Sequence, residues 1–216
     1  MSFHTIFFDL DGTLTDSAPG VLACVRYALD KLGVDPTGRD TAENFIGPPL
    51  MTSFTAQYAF DEAAARQAVA YYRERYSTVG LFENSVYPGV TNMLAALQQA
   101  GKQLVLATSK PEEYARRIME HFDLAQYFTA ICGATLDETR TDKAEVIAYA
   151  LDTIGLTDKT GVVMVGDREH DVIGAKKNAL PCIGALYGYG TREELRSAGA
   201  AAIADTVQDL HKLLLG

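Results

Sequence analysis

Thr5-Ile6-Phe7-Phe8-Asp9-Leu10-Asp11-Gly12-Thr13-Leu14 carries two signals back to back. The first is an unbroken run of β-branched and aromatic residues, Thr5 to Phe8. Such a run reads as a strand covered on both faces, as in a parallel sheet. The second is a pair of carboxylates, Asp9 and Asp11, on either side of Leu10, followed by Gly12, which permits a tight turn. In open parallel sheets, ligands bind beyond the carboxyl ends of the strands, so this pair stands where chemistry is expected. One Asp can act as a nucleophile while the other moves protons. An Asx-type turn capping the next helix accounts for the same residues without chemistry. A calcium loop fits less well, because further acidic ligands at fixed offsets are missing and Leu14 intrudes.

Outward from this stretch the chain alternates. From Pro88 on, helices are expected at about 89–100, 111–121, 142–154, 170–178 and 192–198, with a last one at the C-terminus. Strands are expected at 103–107, 130–133, 162–165, 181–186 and 200–204. Repeated βα units with apolar strands predict a Rossmann-like parallel sheet sandwiched by helices. Residues 34–86 contain no strand candidate. Ser17 reads as the N-cap of a helix that Gly33 closes. Helical stretches follow at 39–57 and 61–78, with a stiff break at Gly47-Pro48-Pro49, a cap at Asp61 and a stop at Gly80. The sequence therefore predicts an α/β core built from residues 1–16 and 87–216, interrupted by an α-helical bundle at 17–86.

Composition narrows the function. The chain has 216 residues, with 28 Asp and Glu against 19 Lys and Arg, a net charge of −9. An acidic surface repels polyanions, so nucleic acid is not the expected partner, although local cations or a metal can still seat a small phosphate. Cys24, Cys132 and Cys182 are odd in number and form no CxxC, which disfavours disulfides and zinc and fits a reducing cytoplasm. No apolar run reaches the ~18–20 residues of a membrane span. The first ten residues lack Lys and Arg and meet Asp9 early, so they read as a strand and not as a signal peptide.

Three further sheet-edge segments carry polar residues. Thr108-Ser109-Lys110-Pro111 follows the second core strand and is expected to open a helix, where hydroxyls and free amides can seat an anion. Lys143 is expected in the first turn of a helix, where its charge opposes the dipole and calls for a phosphate or a carboxylate such as Asp142. Gly166-Asp167-Arg168-Glu169-His170-Asp171 ends a buried strand with two carboxylates, hard oxygen ligands suited to Mg²⁺.

Taken in order, Asp9-x-Asp11-Gly12-Thr13, Thr108, Lys143 and Gly166-Asp167-x-x-x-Asp171 resemble the four motifs of the haloacid dehalogenase superfamily. An insertion between the first two motifs resembles that family's helical cap of the first type. Within the family, Phe8 to Ser17 and Val86-Tyr87-Pro88-Gly89-Val90 are most similar to the phosphoglycolate phosphatases. Ser109 stands where that group often has Asn, and Arg168 where it usually has Ser or Thr.

The resemblance implies a Mg²⁺-dependent phosphatase acting on a small phosphorylated metabolite. It implies Asp9 as nucleophile, Asp11 as acid and base, and Thr108, Ser109 and Lys143 around the phosphate. Mg²⁺ would lie between Asp9, the Asp11 carbonyl and Asp167, and Asp171 would hold a metal-bound water or orient Lys143. Asn44, Phe45, Gly47 and Arg73 are candidate cap contacts to substrate. Arg140 and Arg168 can reach a substrate carboxylate or second phosphate, or serve in salt bridges. The loop holding Thr135-Leu136-Asp137-Glu138-Thr139-Arg140 bears on the same choice. Alternatives to phosphoglycolate are a 5'-nucleotide, a sugar phosphate, pyrophosphate and phosphotyrosine. A sugar phosphomutase and a non-catalytic phospholigand-binding protein share the same residues. No oligomeric state follows.

Overall fold

The computed structural model describes residues 3–137 and 139–216, so Glu138 of the loop above lies outside the described residues. The chain falls into two compact units: Met1–Thr15 with Val86–Gly216, and Asp16–Ser85.

The first unit is built on six strands. They are β1 (Thr5–Phe8), β4 (Gln103–Pro111), β5 (Ala130–Ala134), β6 (Val162–Gly166), β7 (Cys182–Ala185) and β8 (Ala202–Ala204). A two-residue pair, β2 (Thr15–Asp16) and β3 (Ser85–Val86), stands where the chain passes between the units. The large sheet has the order β5-β4-β1-β6-β7-β8, and every pairing is parallel. β1 is central: Phe7 lies opposite Val105 on one side and Met164 on the other. Ile6, Phe7 and Phe8 have no exposed surface, which is why an uninterrupted apolar run is tolerated here. The strand order reverses about β1, so the carboxyl ends of β1, β4 and β6 converge at the topological switch point.

Helices α5 (Val90–Gln99), α6 (Glu112–His121), α7 (Lys143–Thr153), α8 (Glu169–Lys177), α9 (Arg192–Ala198) and α10 (Val207–Leu215) complete this unit. One core cluster joins Phe7, Val105 and Met164 of the sheet to Val146 and Ile147 of α7 and Leu195 of α9. Truncating a ring such as Phe7 to Ala would cost ~3–5 kcal/mol.

The second unit contains α1 (Ala18–Lys31), α2 (Ala42–Phe45), α3 (Leu50–Tyr58), α4 (Glu62–Tyr76) and a short 3-10 turn, Gly80–Phe82. The helical stretch expected at 39–57 is divided at 46–49, at the break expected from Gly47-Pro48-Pro49. Pro48 and Pro49 lack an N–H and push the residue before them out of helical conformation. Ser17 occupies the N-cap position of α1 without a side-chain cap; Asp16 Oδ1 accepts the Ala18 N–H instead, at 3.2 Å. Asp61 does cap α4, accepting from Ala64 N–H. Gly80 does not simply end a helix: a Cβ there would lie 2.3 Å from Cys24 Sγ, so its lack of a side chain lets the 3-10 turn press on α1. Phe45 packs edge-to-face on Phe54 at 5.2 Å, and Tyr72 stacks on Tyr76 at 5.2 Å, so these rings serve the unit's own core.

Candidate active site

The chain after β1 is wound tightly. Asp9 N–H donates to Val165 O at 2.9 Å, extending the β1–β6 ladder by one bond. Leu14 and Thr15 N–H both donate to Leu10 O, at 2.9 and 3.0 Å, so the loop wraps round one carbonyl. Gly12 has φ +77°, and a Cβ there would stand 2.1 Å from Asp167 Oδ2. Both the left-handed backbone and the close approach demand glycine.

Lys143 is buried at the first position of α7, whose N-cap is Asp142, with Glu145 completing a capping box. Its Nζ lies 2.8 Å from Asp9 Oδ1, 2.8 Å from Asp171 Oδ1 and 3.1 Å from Ala107 O. The two carboxylate contacts are charge contacts, and neither Oδ1 has a directed hydrogen bond. Burial alone would pull the Lys143 ammonium down, but the charges of Asp171 and Asp9 outweigh it and hold it above the ordinary lysine value. The compensation for a cation in the first turn therefore comes from Asp9 and Asp171. Asp142 instead accepts from Ala144 N–H.

Asp167 directly follows β6 and has no exposed surface. Its Oδ2 accepts Tyr189 N–H at 2.8 Å and its Oδ1 accepts the Thr13 hydroxyl at 3.3 Å. The chain after β7, Tyr187-Gly188-Tyr189-Gly190, closes over it. A Cβ on Gly188 would stand 2.2 Å from Gly12 O and 2.4 Å from Asp167 Cβ, and one on Gly190 2.0 Å from Asp167 O. Tyr187 hydroxyl donates to Thr13 O at 2.9 Å, and burial, with the Asp167 charge beside it, raises that phenol. Burial pushes the Asp167 carboxyl well above the usual range, and the charges of Asp171 and Asp9 push it further. Asp171 is raised by burial as well, held back by Lys143. These glycine contacts were not legible in the sequence, because the short period of Gly188 and Gly190 names no partner.

Thr108 and Ser109 do not open a helix. β4 runs on to Pro111, with a register shift against β5 between Thr108 and Pro111, and α6 begins only at Glu112. Thr108 is buried and accepts Lys110 N–H at 3.2 Å through its hydroxyl; Ser109 is half-buried on the strand extension. The bulge re-aims the next side chain. Lys110 Nζ lies 2.9 Å from Asp11 Oδ2. Sequence reasoning missed this lysine. It stood two residues past Thr108 in the quoted segment, but a strand ending at Ala107 gave no direction for its side chain.

The two candidate arginines of this unit, Arg140 and Arg168, are engaged by protein. Arg140 donates through Nε to Gly133 O at 3.0 Å and lies over the Tyr149 ring at 3.7 Å. Arg168 donates through Nε to Glu194 Oε1 at 2.8 Å. Asn44, Phe45, Gly47 and Arg73 belong to the helical unit. There Asn44 donates to Arg39 O at 2.8 Å, Phe45 is buried, Gly47 is exposed, and Arg73 is half-buried on α4.

Asp9, Asp167 and Asp171 each offer a carboxylate oxygen, and these atoms lie within 4.8 Å of one another. Asp167 and Asp171 are buried, and the Asp9 side chain is 13% exposed. Three desolvated acids, two of them (Asp9 and Asp171) with a buried oxygen that has no directed hydrogen bond, suit a hard divalent cation in chemistry and in charge.

Comparison with known proteins agrees with this geometry. The family described as haloacid dehalogenase-like hydrolase matches residues 6–185. A 5'-nucleotidase of Pseudomonas aeruginosa is 47% identical over 197 residues, covering 91% of this chain and 89% of that protein. The tyrosine-protein kinase PtkA of Mycobacterium tuberculosis is 37% identical over 211 residues, covering 97% of this chain and 72% of that protein. The crystal structure of a predicted phosphatase from Clostridium acetobutylicum superposes with a TM-score of 0.91 at 46% identity, over 100% of this chain and 99% of that one. With its motifs gathered at one sheet edge and the family matched across most of its length, the chain belongs to the haloacid dehalogenase-like hydrolases.

Proposed function

We propose that this chain hydrolyses a small phosphate monoester through a covalent phosphoryl group on Asp9. It is a phosphoric monoester hydrolase of its family. The observation that carries the mechanism is the Lys143 contact, which fixes Asp9 at 2.8 Å and Asp171 at 2.8 Å behind it.

An oxygen of Asp9 attacks phosphorus and the ester P–O bond breaks. The departing alkoxide takes a proton from Asp11. Water then attacks the aspartyl-phosphate, giving its proton to Asp11, and phosphate leaves with Asp9 regenerated. Lys143 and the Thr108 hydroxyl hold phosphoryl oxygens as charge shifts between attacking and leaving groups. Asp171 orients Lys143. Asp9, the Asp11 carbonyl and Asp167 are the residues that would hold Mg²⁺, which when bound offsets the repulsion between phosphate and carboxylates. Cytoplasmic residence is supported by three buried free thiols, Cys24, Cys132 and Cys182. Among the described residues, no helix is long and apolar enough to cross a membrane.

The likeness to PtkA favours a second reading, in which the phosphoryl group on Asp9 passes to a tyrosine hydroxyl instead of to water. One experiment separates the two. Phosphate release is measured with Mg²⁺ over nucleoside 5'-monophosphates, phosphoglycolate, sugar phosphates, pyrophosphate and phosphotyrosine. Release that chelator abolishes supports the hydrolase and ranks its substrates. No release from folded protein on any of them removes it in favour of transfer, mutase or binding roles.

A further inference from the structure

We propose that Lys110 is a positioning residue for Asp11, holding one carboxylate oxygen so that the other is dedicated to the ester oxygen of the substrate. The proposal rests on the phosphatase reading and assigns a role to a residue outside the four motifs.

The two oxygens of Asp11 are not equivalent. Oδ2 lies 2.9 Å from Lys110 Nζ, while Oδ1 is buried without a hydrogen-bond partner among the described residues. Both side chains are shielded, Lys110 at 6% exposure and Asp11 at 17%. The group of acids that can share a cation comprises Asp9, Asp167 and Asp171, and leaves the Asp11 carboxylate out. Lys143 cannot do the holding, since its ammonium already faces Asp9, Asp171 and the Ala107 carbonyl.

The backbone is built to deliver Lys110. β4 continues past Thr108 through the register shift, and the Thr108 hydroxyl fixes Lys110 N–H. A Cβ on Gly133 would stand 2.7 Å from Lys110 O and 2.6 Å from Glu112 Cα, so β5 must present a glycine for this segment to lie down.

A consequence for proton transfer follows. An ammonium donates and cannot accept, so a carboxylic proton on Asp11 sits on Oδ1 and not on the oxygen facing Lys110. The acid is then oriented by a third group, as acids and bases in other hydrolytic sites are. When the proton leaves to the ester oxygen, Oδ1 is left in place to take one from the attacking water.

The test uses leaving groups. A p-nitrophenyl ester departs without protonation, whereas a simple alkyl ester needs the acid. kcat/KM reports only steps up to departure of the alcohol, so it isolates the acid role from later hydrolysis. Lys110→Met is expected to lower kcat/KM for the alkyl ester ~100-fold or more, within the usual worth of a general acid, and that for the p-nitrophenyl ester by less than about tenfold. Lys110→Arg should recover at least about tenfold on the alkyl ester, since the cation is restored. Lys110→Gln serves if the Met variant does not fold, with the same selectivity expected. Equal losses on both esters would overturn this role, pointing to direct phosphate binding or to scaffolding. A wild type that cleaves neither ester removes the phosphatase reading and this role with it, so the two failures are distinct.

Discussion

Lys143 Nζ stands 2.8 Å from Asp9 Oδ1 with the lysine buried at the head of α7. A second carboxylate, Asp171, faces the same ammonium at 2.8 Å. One cation thus serves both the attacking residue and the acid behind it. Removing one member of a buried charge cluster leaves the others uncompensated, at a cost of ~3–5 kcal/mol. Lys143→Met should lower the unfolding free energy by about that amount and turnover by ~10²–10³. Denaturant titration beside steady-state kinetics measures both. A variant as stable as wild type would show that Asp9 and Asp171 do not depend on this lysine.

Asp9→Asn keeps the shape of the side chain and removes the nucleophile. Turnover should vanish while the fold persists, and no acid-stable, hydroxylamine-labile phosphoprotein should form. Activity within about tenfold of wild type, in protein free of contaminating phosphatase, would remove the covalent mechanism, because a nucleophile's loss costs far more than that.

Much of this was legible because it is local. Thr5 to Phe8 had to be buried on both faces, and β1 is the central strand. Three of the polar segments announced themselves as the ends of apolar strands, and Lys143 as a cation in the first turn of a helix. What was not legible depends on contacts across the sequence. Lys110 reaches Asp11 only because β4 overruns its apolar run through a bulge, which nothing in Thr108-Ser109-Lys110-Pro111 states. Gly188 matters because Gly12 and Asp167 lie beneath it, and those are about 175 and 20 residues away along the chain. Arg168 was open between substrate and salt bridge, and only the fold brings Glu194 beside it.

The glycine contacts give a prediction of their own. Gly188→Ala puts a methyl 2.4 Å from Asp167 Cβ, where backbone must give way. The Tyr189 N–H that holds Asp167 Oδ2 moves with it. Loss of such an orienting contact typically weakens metal affinity ~10–100-fold. Calorimetric titration with Mg²⁺ reads this directly, without turnover. Unchanged affinity would mean that the loop after β7 does not set the position of Asp167.

Metal should also stabilise the fold. Burial, with the charge of Asp9 beside both and of Asp171 beside Asp167, holds Asp167 and Asp171 above their ordinary range, and a divalent cation would relieve both penalties. At about 100 times its Kd, a ligand of the native state adds ~2.7 kcal/mol, which is roughly 5–10 °C in Tm for a chain of this size. Mg²⁺ against chelator in a thermal melt tests it. Identical Tm values at saturating Mg²⁺ would argue that the acid cluster does not hold the ion.

The Arg168–Glu194 pair predicts a pH dependence with a definite sign. Glu194 Oε1 accepts Arg168 Nε at 2.8 Å and Glu169 N–H at 2.8 Å, and Oε2 accepts Thr191 N–H at 3.4 Å. Burial by itself would raise this carboxyl, but the backbone and guanidinium donors outweigh it and hold it below the ordinary glutamate value of 4.5. Between its folded value and 4.5 the unfolded chain binds more protons than the folded one, so stability rises with pH across that window. The contribution is complete above 4.5 and is lost as pH falls through the folded value. Glu194→Gln retains the shape and a weaker acceptor, so it should cost about 1 kcal/mol at neutral pH. The gap between variant and wild type should close in acid, as pH falls through the folded-state value and the wild-type carboxylate is protonated. Urea unfolding of both proteins at the two pH values makes the comparison. A gap of equal size at both would assign the loss to packing, and the charge on Glu194 would have no part in pinning α9 to the start of α8.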